Sequence, residues 1–569
     1  MTTRSVEAAA RVPAARPPGV EEFDAGAVWR VPGQVAMRPE SFGALLYHFG
    51  TRRLSFLKDP RLAEAVARLD GGRTALEACR ATEPAGVPAQ VLAGLATLAA
   101  TGMLERVPAA APAGASGAGQ IVPAGPAGAH RPGGAGSAVA RRGMPLADRF
   151  ASGLAAPICL TWELTYACNL ACVHCLSSSG RRDPGELSTA ECLRVIEELQ
   201  AMQVFYVNIG GGEPTVRPDF WDIVDYATDH RVGVKFSTNG VRITRARAAR
   251  LARNDYVDVQ ISLDGATAPV NDAVRGQGSH ALAVAAMERL AEAGVTGFKI
   301  SVVATRHNIG QLDAFKALAD RYAATLRITR LRPAGRGADS WADLHPMPGQ
   351  QRVLYDWLLA HGEGVLTGDS FFHLAGYGQA LPGLNLCGAG RVVCLIDPVG
   401  DVYACPFAIH DRFRAGTVRD PGGFWRVWAD SELFSELRRP QTGGACSSCS
   451  AYDTCRGGCM AAKFFTGLPL DGPDPECVRG NAEPALAAVA AGPDAALAVP
   501  RPDRDHSRTA GRGRGRGVPV VIGRTPPSPR TAVSACVADP LAGFDAAVPD
   551  GEVPGGRVPA GQTRLHEEH

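Results

Sequence analysis

The sequence predicts an α/β protein: a partial (β/α)6 barrel, a cysteine-rich domain after it, and a small winged-helix-like α+β module in front. Three observations carry that expectation. Between residues 150 and 345, strand-like apolar runs alternate six times with helical patterns. Eleven of the 15 cysteines fall into two groups, Cys168 to Cys175 and Cys387 to Cys477. Residues 22–107 carry strand and helix patterns of their own, and a Pro/Ala/Gly-rich stretch divides them from the rest.

Composition narrows the class. The 569 residues suffice for two or three domains, and 46% hydrophobic with 20% charged residues suits folded cores. A net charge of +2 exerts no global pull on nucleic acid or membrane. The N-terminal residues lack the apolar core of a secretory signal, and no apolar run is long enough to span a bilayer. The expected location is the cytoplasm. In a reducing compartment, so many cysteines point to metal or redox chemistry rather than disulfides. Cys79, Cys159, Cys192 and Cys536 stand apart and read as ordinary residues.

Residues 1–21 are polar and Pro/Ala-rich, a disordered composition. In residues 22–107 the runs VWRV, QVAMR, ALLYHF and RRLSFL precede helical patterns at Leu62–Leu69, Thr74–Arg80 and Pro88–Thr101. Winged-helix modules often bind DNA, but the basic residues Arg52, Arg53 and Lys58 are few, so no nucleic-acid partner is expected. Residues 108–143 read as a flexible linker spanning roughly 30–36 Å. Barrel strands are expected at Ile158–Leu164, Val204–Ile209, Gly233–Ser237, Val257–Leu263, Phe298–Ala304 and Leu326–Leu331. In the first crossover helix Cys192, Val195, Ile196, Leu199 and Met202 share a face, and Ser188 with Glu191 forms a capping box. Residues 346–484 are irregular and need something other than a large core. Residues 485–569, including the Gly-Arg repeat Gly511–Gly517, read as a solvated disordered tail.

Cys168, Cys172 and Cys175 follow the first barrel strand, at the end where such barrels keep their chemistry. Three thiolates hold three irons of a 4Fe–4S cluster and leave the fourth iron open. A structural zinc site wants four protein ligands, and His174 is poorly placed to serve beside Cys175. The next strand ends carry Gly210-Gly211-Gly212-Glu213-Pro214, then Ser237-Thr238-Asn239-Gly240, then Ser262 and Asp264. Each alone is an ordinary turn. In register on successive strands, they read as one site.

The loop CNLACVHC resembles the signature of radical S-adenosylmethionine (radical SAM) enzymes. The resemblance implies that Cys168, Cys172 and Cys175 hold the catalytic cluster, with S-adenosyl-L-methionine on its open iron. It implies cofactor contacts from Gly211, Gly212, Glu213, Ser237, Asn239, Ser262, Asp264 and Arg275. The second cysteine field resembles the SPASM extension, which carries auxiliary clusters. That resemblance gives Cys387, Cys394, Cys405 and Cys459 to a nearer 4Fe–4S cluster, and Cys446, Cys449, Cys455 and Cys477 to an outer one. Three clusters result. Without Cys394, the nearer cluster has an open iron. Sulfatase-maturing relatives place an acidic base directly after the cysteine matching Cys405; Pro406 stands there in this chain.

From Trp162 to Cys477 the sequence resembles the mycofactocin maturase branch, through TWELTYACNLACVHCLSSSGRRDP, FYVNIGGGEPTVRPDFW, VDVQISLDGAT, VCLIDPVGDVYACPFAIH and CRGGCMAAKFFTGLPLDGPDPEC. Residues 22–107, with FGALLYHFGTRRLSFLK, resemble the small peptide chaperone that is normally a separate chain. The implied substrate is a ribosomally made precursor peptide ending in Val-Tyr. The implied reaction is oxidative decarboxylation of its tyrosine, then a Val–Tyr carbon–carbon crosslink giving a lactam. The implied partners are that peptide and an electron donor of flavodoxin or ferredoxin type, with no membrane. The competing enzyme reading is a maturase making thioether or other carbon–carbon links on another peptide. Arg327, Arg330, Arg332 and Arg336 crowd the last barrel strand and its exit. A grip on the tyrosine carboxylate, on the cofactor, or an outer-face position all fit them at this stage.

Overall fold

The computed structural model describes residues 23–491 apart from 83–85, 109–152, 363, 368–370, 382–386 and 440–443. The segment expected to be disordered at the N-terminus, nearly all of the expected linker, and the Gly-Arg repeat lie outside the described residues. A helix at Ala482–Ala491 runs across the expected start of the tail at residue 485.

The front module consists of β1 (Val28–Arg30), β2 (Val35–Glu40), β3 (Gly43–His48), β4 (Arg53–Leu57), α1 (Pro60–Ala67), β5 (Asp70–Thr74), α2 (Ala75–Thr82), α3 (Ala89–Ala100) and β6 (Glu105–Arg106). Its strands form two sheets, β5-β1-β6 and the antiparallel meander β2-β3-β4. Asp59 caps α1 by accepting from the Arg61 amide, with Pro60 in the first turn. The sequence pattern does not announce β5: DGGRT lacks apolar alternation and pairs because β1 offers it an edge.

β3 explains how the module is seated. Its run Ala44-Leu45-Leu46-Tyr47 is buried without interruption, as in a strand covered on both faces. Ala44 and Leu46 enter the module's own core with Trp29, Val66 and Leu95. Leu45 and Tyr47, with Phe49, join the core of the barrel instead. Far from being merely tethered, the module packs directly on the barrel.

The barrel strands are β7 (Cys159–Thr165), β8 (Tyr206–Gly211), β9 (Gly233–Thr238), β10 (Val257–Ser262), β11 (Lys299–Ala304) and β12 (Thr325–Arg330), parallel in that order. β13 (Val365–Leu366) lies beside β12, and β14 (Val393–Ile396) runs parallel beside β7. β15 (Asp401–Tyr403) and β16 (Arg414–Thr417) continue antiparallel, so the sheet has ten strands. Both edge strands of the expected barrel thus pair outward, which leaves it a partial one. The first crossover helix, α4 (Thr189–Ala201), has the Ser188–Glu191 capping box and buries Cys192, Val195, Ile196 and Leu199.

Period-two alternation divides each barrel strand. Residues such as Val207, Phe236, Ile261, Val302 and Ile328 meet the outer helices in the core. Thr161, Asn208, Lys235, Gln260, Ser301 and Thr329 line the lumen. A polar lumen inside an apolar shell is a chamber for a polar ligand rather than a packed core. Among the described residues no helix is long and apolar enough to cross a membrane.

Candidate active site

The three-cysteine loop closes on itself just beyond β7. The Cys168 amide donates to the Gly180 carbonyl, and the Gly180 amide returns to the Tyr166 carbonyl. Buried Glu186 accepts from the Thr165 hydroxyl and the Tyr166 amide, each at 2.9 Å. Arg336 fastens the far side, donating to the carbonyls of Cys172 (2.9 Å) and Ser179 (2.8 Å). Cys168, Cys172 and Cys175 all reach one cavity of about 910 Å³. Burial pushes the Cys168 thiol up to about 12 and raises that of Cys172. Thiolates here need a cation beside them, which suits metal ligands better than free nucleophiles.

Asp264 stands differently from the expectation that it touches the cofactor. It is fully buried and absent from the cavity lining. One oxygen accepts from His174 at 2.8 Å and Arg275 at 2.7 Å; the other takes the Val303 amide at 2.7 Å. Burial alone would raise its carboxyl, but Arg275 and then His174 outweigh burial and hold it well below the usual carboxylate range. Asp264 therefore acts behind the wall, fixing a residue of the cysteine loop and a lining arginine.

Glu213 is buried, and its carboxylate accepts from the Thr215 amide and hydroxyl, the Thr238 hydroxyl (2.8 Å) and the Asn239 amide (2.7 Å). Burial raises its pKa against those bonds. It ties the end of β8 to the end of β9. Gly212 has no alternative there: a Cβ would lie 2.0 Å from the Ala167 carbonyl oxygen. Gly211 has φ +108°, and its Cβ would meet the Thr165 carbonyl at 2.4 Å. Asn239 donates to Asn169 of the cysteine loop at 2.8 Å, and Ser237 accepts from Gln260 at 2.9 Å. Gly211, Gly212, Glu213, Ser237, Asn239, Ser262 and Arg275 line the same cavity.

Of the second cysteine field, Cys387, Cys405 and Cys459 open onto that cavity as well. Burial raises the Cys387 thiol first and neighbouring Cys459 second; for Cys405 burial is followed by Cys387 and Cys459. Cys394 is separated from them. It is fully buried on β14, outside the lining, and the groups that act on it after burial are Cys159 and Arg438. Burial raises the Cys446 thiol, with Cys477 and Cys449 adding to it, and burial raises that of Cys455 to about 12, with Asp474, Cys477 and Cys446 adding to it. Among the described residues no three His, Cys, Asp or Glu side chains converge closely enough for a single metal ion.

Two features escaped the sequence reading. Arg330, at the end of β12, forks onto Asp474 and reaches Glu476 at 2.6 Å, while Asp474 accepts the Cys459 amide at 2.7 Å. This buried cluster bolts the cysteine-rich region to the barrel. Glu163 of β7 lines the cavity with one carboxyl oxygen that has no hydrogen-bond partner among the described residues. Burial, reinforced by Asp397, pushes its pKa up to about 8. A charged residue inside the otherwise apolar run TWELT was the available signal.

A parallel partial barrel with three cysteines after its first strand and a cavity at the strand ends defines a radical SAM enzyme. Residues 162–318 match the Radical SAM superfamily, and residues 28–105 match the Peptide chaperone MftB family. The mycofactocin maturase MftC of Mycobacterium tuberculosis is 70% identical over 384 residues, 67% of this chain and 96% of the relative. That of Mycobacterium ulcerans is 73% identical over 365 residues, 64% of this chain and 97% of the relative. The chain belongs to the mycofactocin maturase family. Among solved structures, Streptococcus suis SuiB bound to S-adenosylmethionine matches 79% of this chain and 99% of its own, with 15% identity and a TM-score of 0.55. At that identity the likeness is one of fold.

Proposed function

We propose that the chain modifies a ribosomally made precursor ending in Val-Tyr. The C-terminal tyrosine loses carbon dioxide and two hydrogen atoms, and valine is then joined to the unsaturated tyramine through a carbon–carbon bond as a lactam. One observation carries this reading: the three-cysteine loop and Cys387, Cys405 and Cys459 face a single cavity, of about 910 Å³, large enough for a peptide end. When bound, S-adenosylmethionine on a 4Fe–4S cluster supplies a hydrogen-abstracting radical, and auxiliary clusters accept the released electron.

The chain's own residues hold and orient. Cys168, Cys172 and Cys175 hold the first cluster. Gly211 and Gly212 leave the backbone open to the cofactor, and Glu213, Ser237, Asn239, Ser262 and Arg275 supply polar contacts. Asp264 positions Arg275 and His174. Cys387, Cys405 and Cys459 would hold the nearer auxiliary cluster, and Cys394 lies outside the cavity they line. Cys446, Cys449, Cys455 and Cys477 hold the outer one. The front module holds the precursor's leader as a strand added to a sheet edge, a peptide-binding rather than DNA-binding use of its α+β fold. A cytoplasmic flavodoxin or ferredoxin supplies electrons. The family match of residues 28–105 supports the leader role, and so does a structure of SuiB bound to its precursor peptide SuiA.

The test is anaerobic. Reduced, reconstituted chain is mixed with S-adenosylmethionine and a precursor ending in Val-Tyr, and the peptide is weighed by mass spectrometry. The expected loss equals carbon dioxide plus two hydrogens. Another mass change favours a thioether or other crosslink. No 5′-deoxyadenosine would reject both.

A further inference from the structure

Four arginines crowd the last barrel strand and its exit, and the structure separates their roles. Arg330 is spent on Asp474 and Glu476. Arg336 is spent on the carbonyls of the cysteine loop. Arg332 donates to the Arg330 carbonyl and lies 4.0 Å over the Phe407 ring. Among the described residues Arg327 alone of the four makes neither an ion pair nor a strong bond; it donates one hydrogen bond, to the amide oxygen of Gln260 at 3.3 Å.

Lys235 of β9 shares the lumen with Arg327, and among the described residues neither a hydrogen bond nor an ion pair engages its ammonium. Burial lowers its pKa to about 8, and Arg327 lowers it further than Lys299 does, with Asp258 opposing. One oxygen of Asp258 takes Lys299 at 2.5 Å and Arg52 at 3.5 Å, while its other oxygen has no hydrogen-bond partner among the described residues and acts on Lys235 only through space. Of the cavity's carboxyls, Glu213 accepts from four donors, and Glu163 is kept protonated by burial and then by Asp397. The remaining wall at this level is neutral and polar, Thr161, Asn208, Gln260 and Ser301 among it. Two half-buried cations that face one cavity, with no carboxylate in contact with either among the described residues, form a place where an anion is welcome.

We propose that Lys235 and Arg327 form a carboxylate-binding site in the barrel lumen, and that its ligand is the free C-terminal carboxylate of the precursor peptide. The site selects peptides that end at the reacting tyrosine and holds that residue before its carboxylate leaves. Arg327 offers a planar fork and Lys235 a point charge, a pairing suited to a carboxylate and demanding of chain-end position. The proposal rests on the peptide-maturase reading above.

The reconstituted holoenzyme, left unreduced under anaerobic conditions, is titrated with a fluorescently labelled precursor ending in Val-Tyr. One form has a free C-terminal carboxylate, the other a carboxamide. Wild type is expected to bind the acid about tenfold or more tightly than the amide. R327Q and K235Q are each expected to lose most of that preference, with S-adenosylmethionine affinity within about twofold of wild type. R327K keeps the charge and is expected to retain part of the preference. Its complete loss there, with cluster absorbance and circular dichroism intact, overturns a charge-based grip. Equal binding of acid and amide by wild type also overturns the assignment, as does a preference that survives both substitutions. A parallel fall in S-adenosylmethionine affinity would give the cations to the methionine carboxylate instead. Failure of the peptide reading shows separately, as reduced wild type leaving the acid-ended precursor unmodified.

Discussion

The two ends of the barrel are built by different means. At the C-terminal ends of the strands, loops of the barrel itself fold back and are held by single polar side chains: Asp264 on His174 and Arg275, Arg336 on two carbonyls, Glu213 across β8 and β9. At the N-terminal ends, a separate module forms the floor. Tyr47 stacks on Phe205 and Tyr206 with centroids 5.6 and 5.2 Å apart, Phe49 meets Tyr256 at 4.4 Å, and Leu54 and Phe56 line the cavity from below. Arg38 of β2, with 1% of its surface exposed, pairs with Glu40 and donates to the carbonyls of Ala156, Pro157 and Gln203. The reactive end is ordered by directional polar bonds; the floor is sealed by area, with one buried latch. Polar bonds fix angles where metal ligands must converge, whereas a floor needs only exclusion of water.

That contrast can be broken at either end. The largest effect is expected at the latch. Arg38→Ala leaves Glu40 buried without its partner and should cost about 3–5 kcal/mol in urea unfolding, with earlier proteolysis of the module. Asp264→Asn should cost about 2–3 kcal/mol, and its distinguishing mark is lower iron incorporation at Cys168, Cys172 and Cys175. Unchanged iron content would show that the reactive end does not depend on this bond.

Glu163 sharpens the contrast through pH. Its carboxyl is raised from an ordinary value near 4.5 to about 8 by burial and then Asp397. Between those values the unfolded chain is ionised while the native chain keeps the proton. Stability contributed below pH 4.5 is therefore lost as pH rises toward 8, by up to about 1.4 kcal/mol per unit. Glu163→Gln should flatten the unfolding profile over that window; an unaltered slope would show that Glu163 is already ionised. The smallest effect is expected at Arg52→Ala. Its pair with Asp258 is 3.5 Å long, and the Arg52 side chain is 30% exposed. A loss of at most ~1 kcal/mol is expected by the same urea titration, and a larger one would make the floor depend on charge.

The reactive end was far more legible in the sequence than the floor. Apolar runs alternating with helical patterns located the six barrel strands, and the turns after β7, β8 and β9 announced themselves through cysteines and glycines. Asp264 was found, but its direction was not, because residue type does not say whether a side chain faces the lumen or the wall. Cys394 lies outside the cavity that Cys387, Cys405 and Cys459 line, and its spacing could not say so: on a strand, adjacent residues face opposite sides. At the floor, Arg38 binds carbonyls, which every residue possesses, so no complementary motif exists to read. β3 did carry a signal in its unbroken apolar run, though it states that both faces are covered without naming what covers them.

The latch has a consequence for stoichiometry. A floor supplied by an independent chain is present only in proportion to that chain's abundance and is stripped by dilution. Here Arg38 and the carbonyls it grips belong to one polypeptide, so each barrel is synthesised with its own floor, one to one, at any cellular level of the protein.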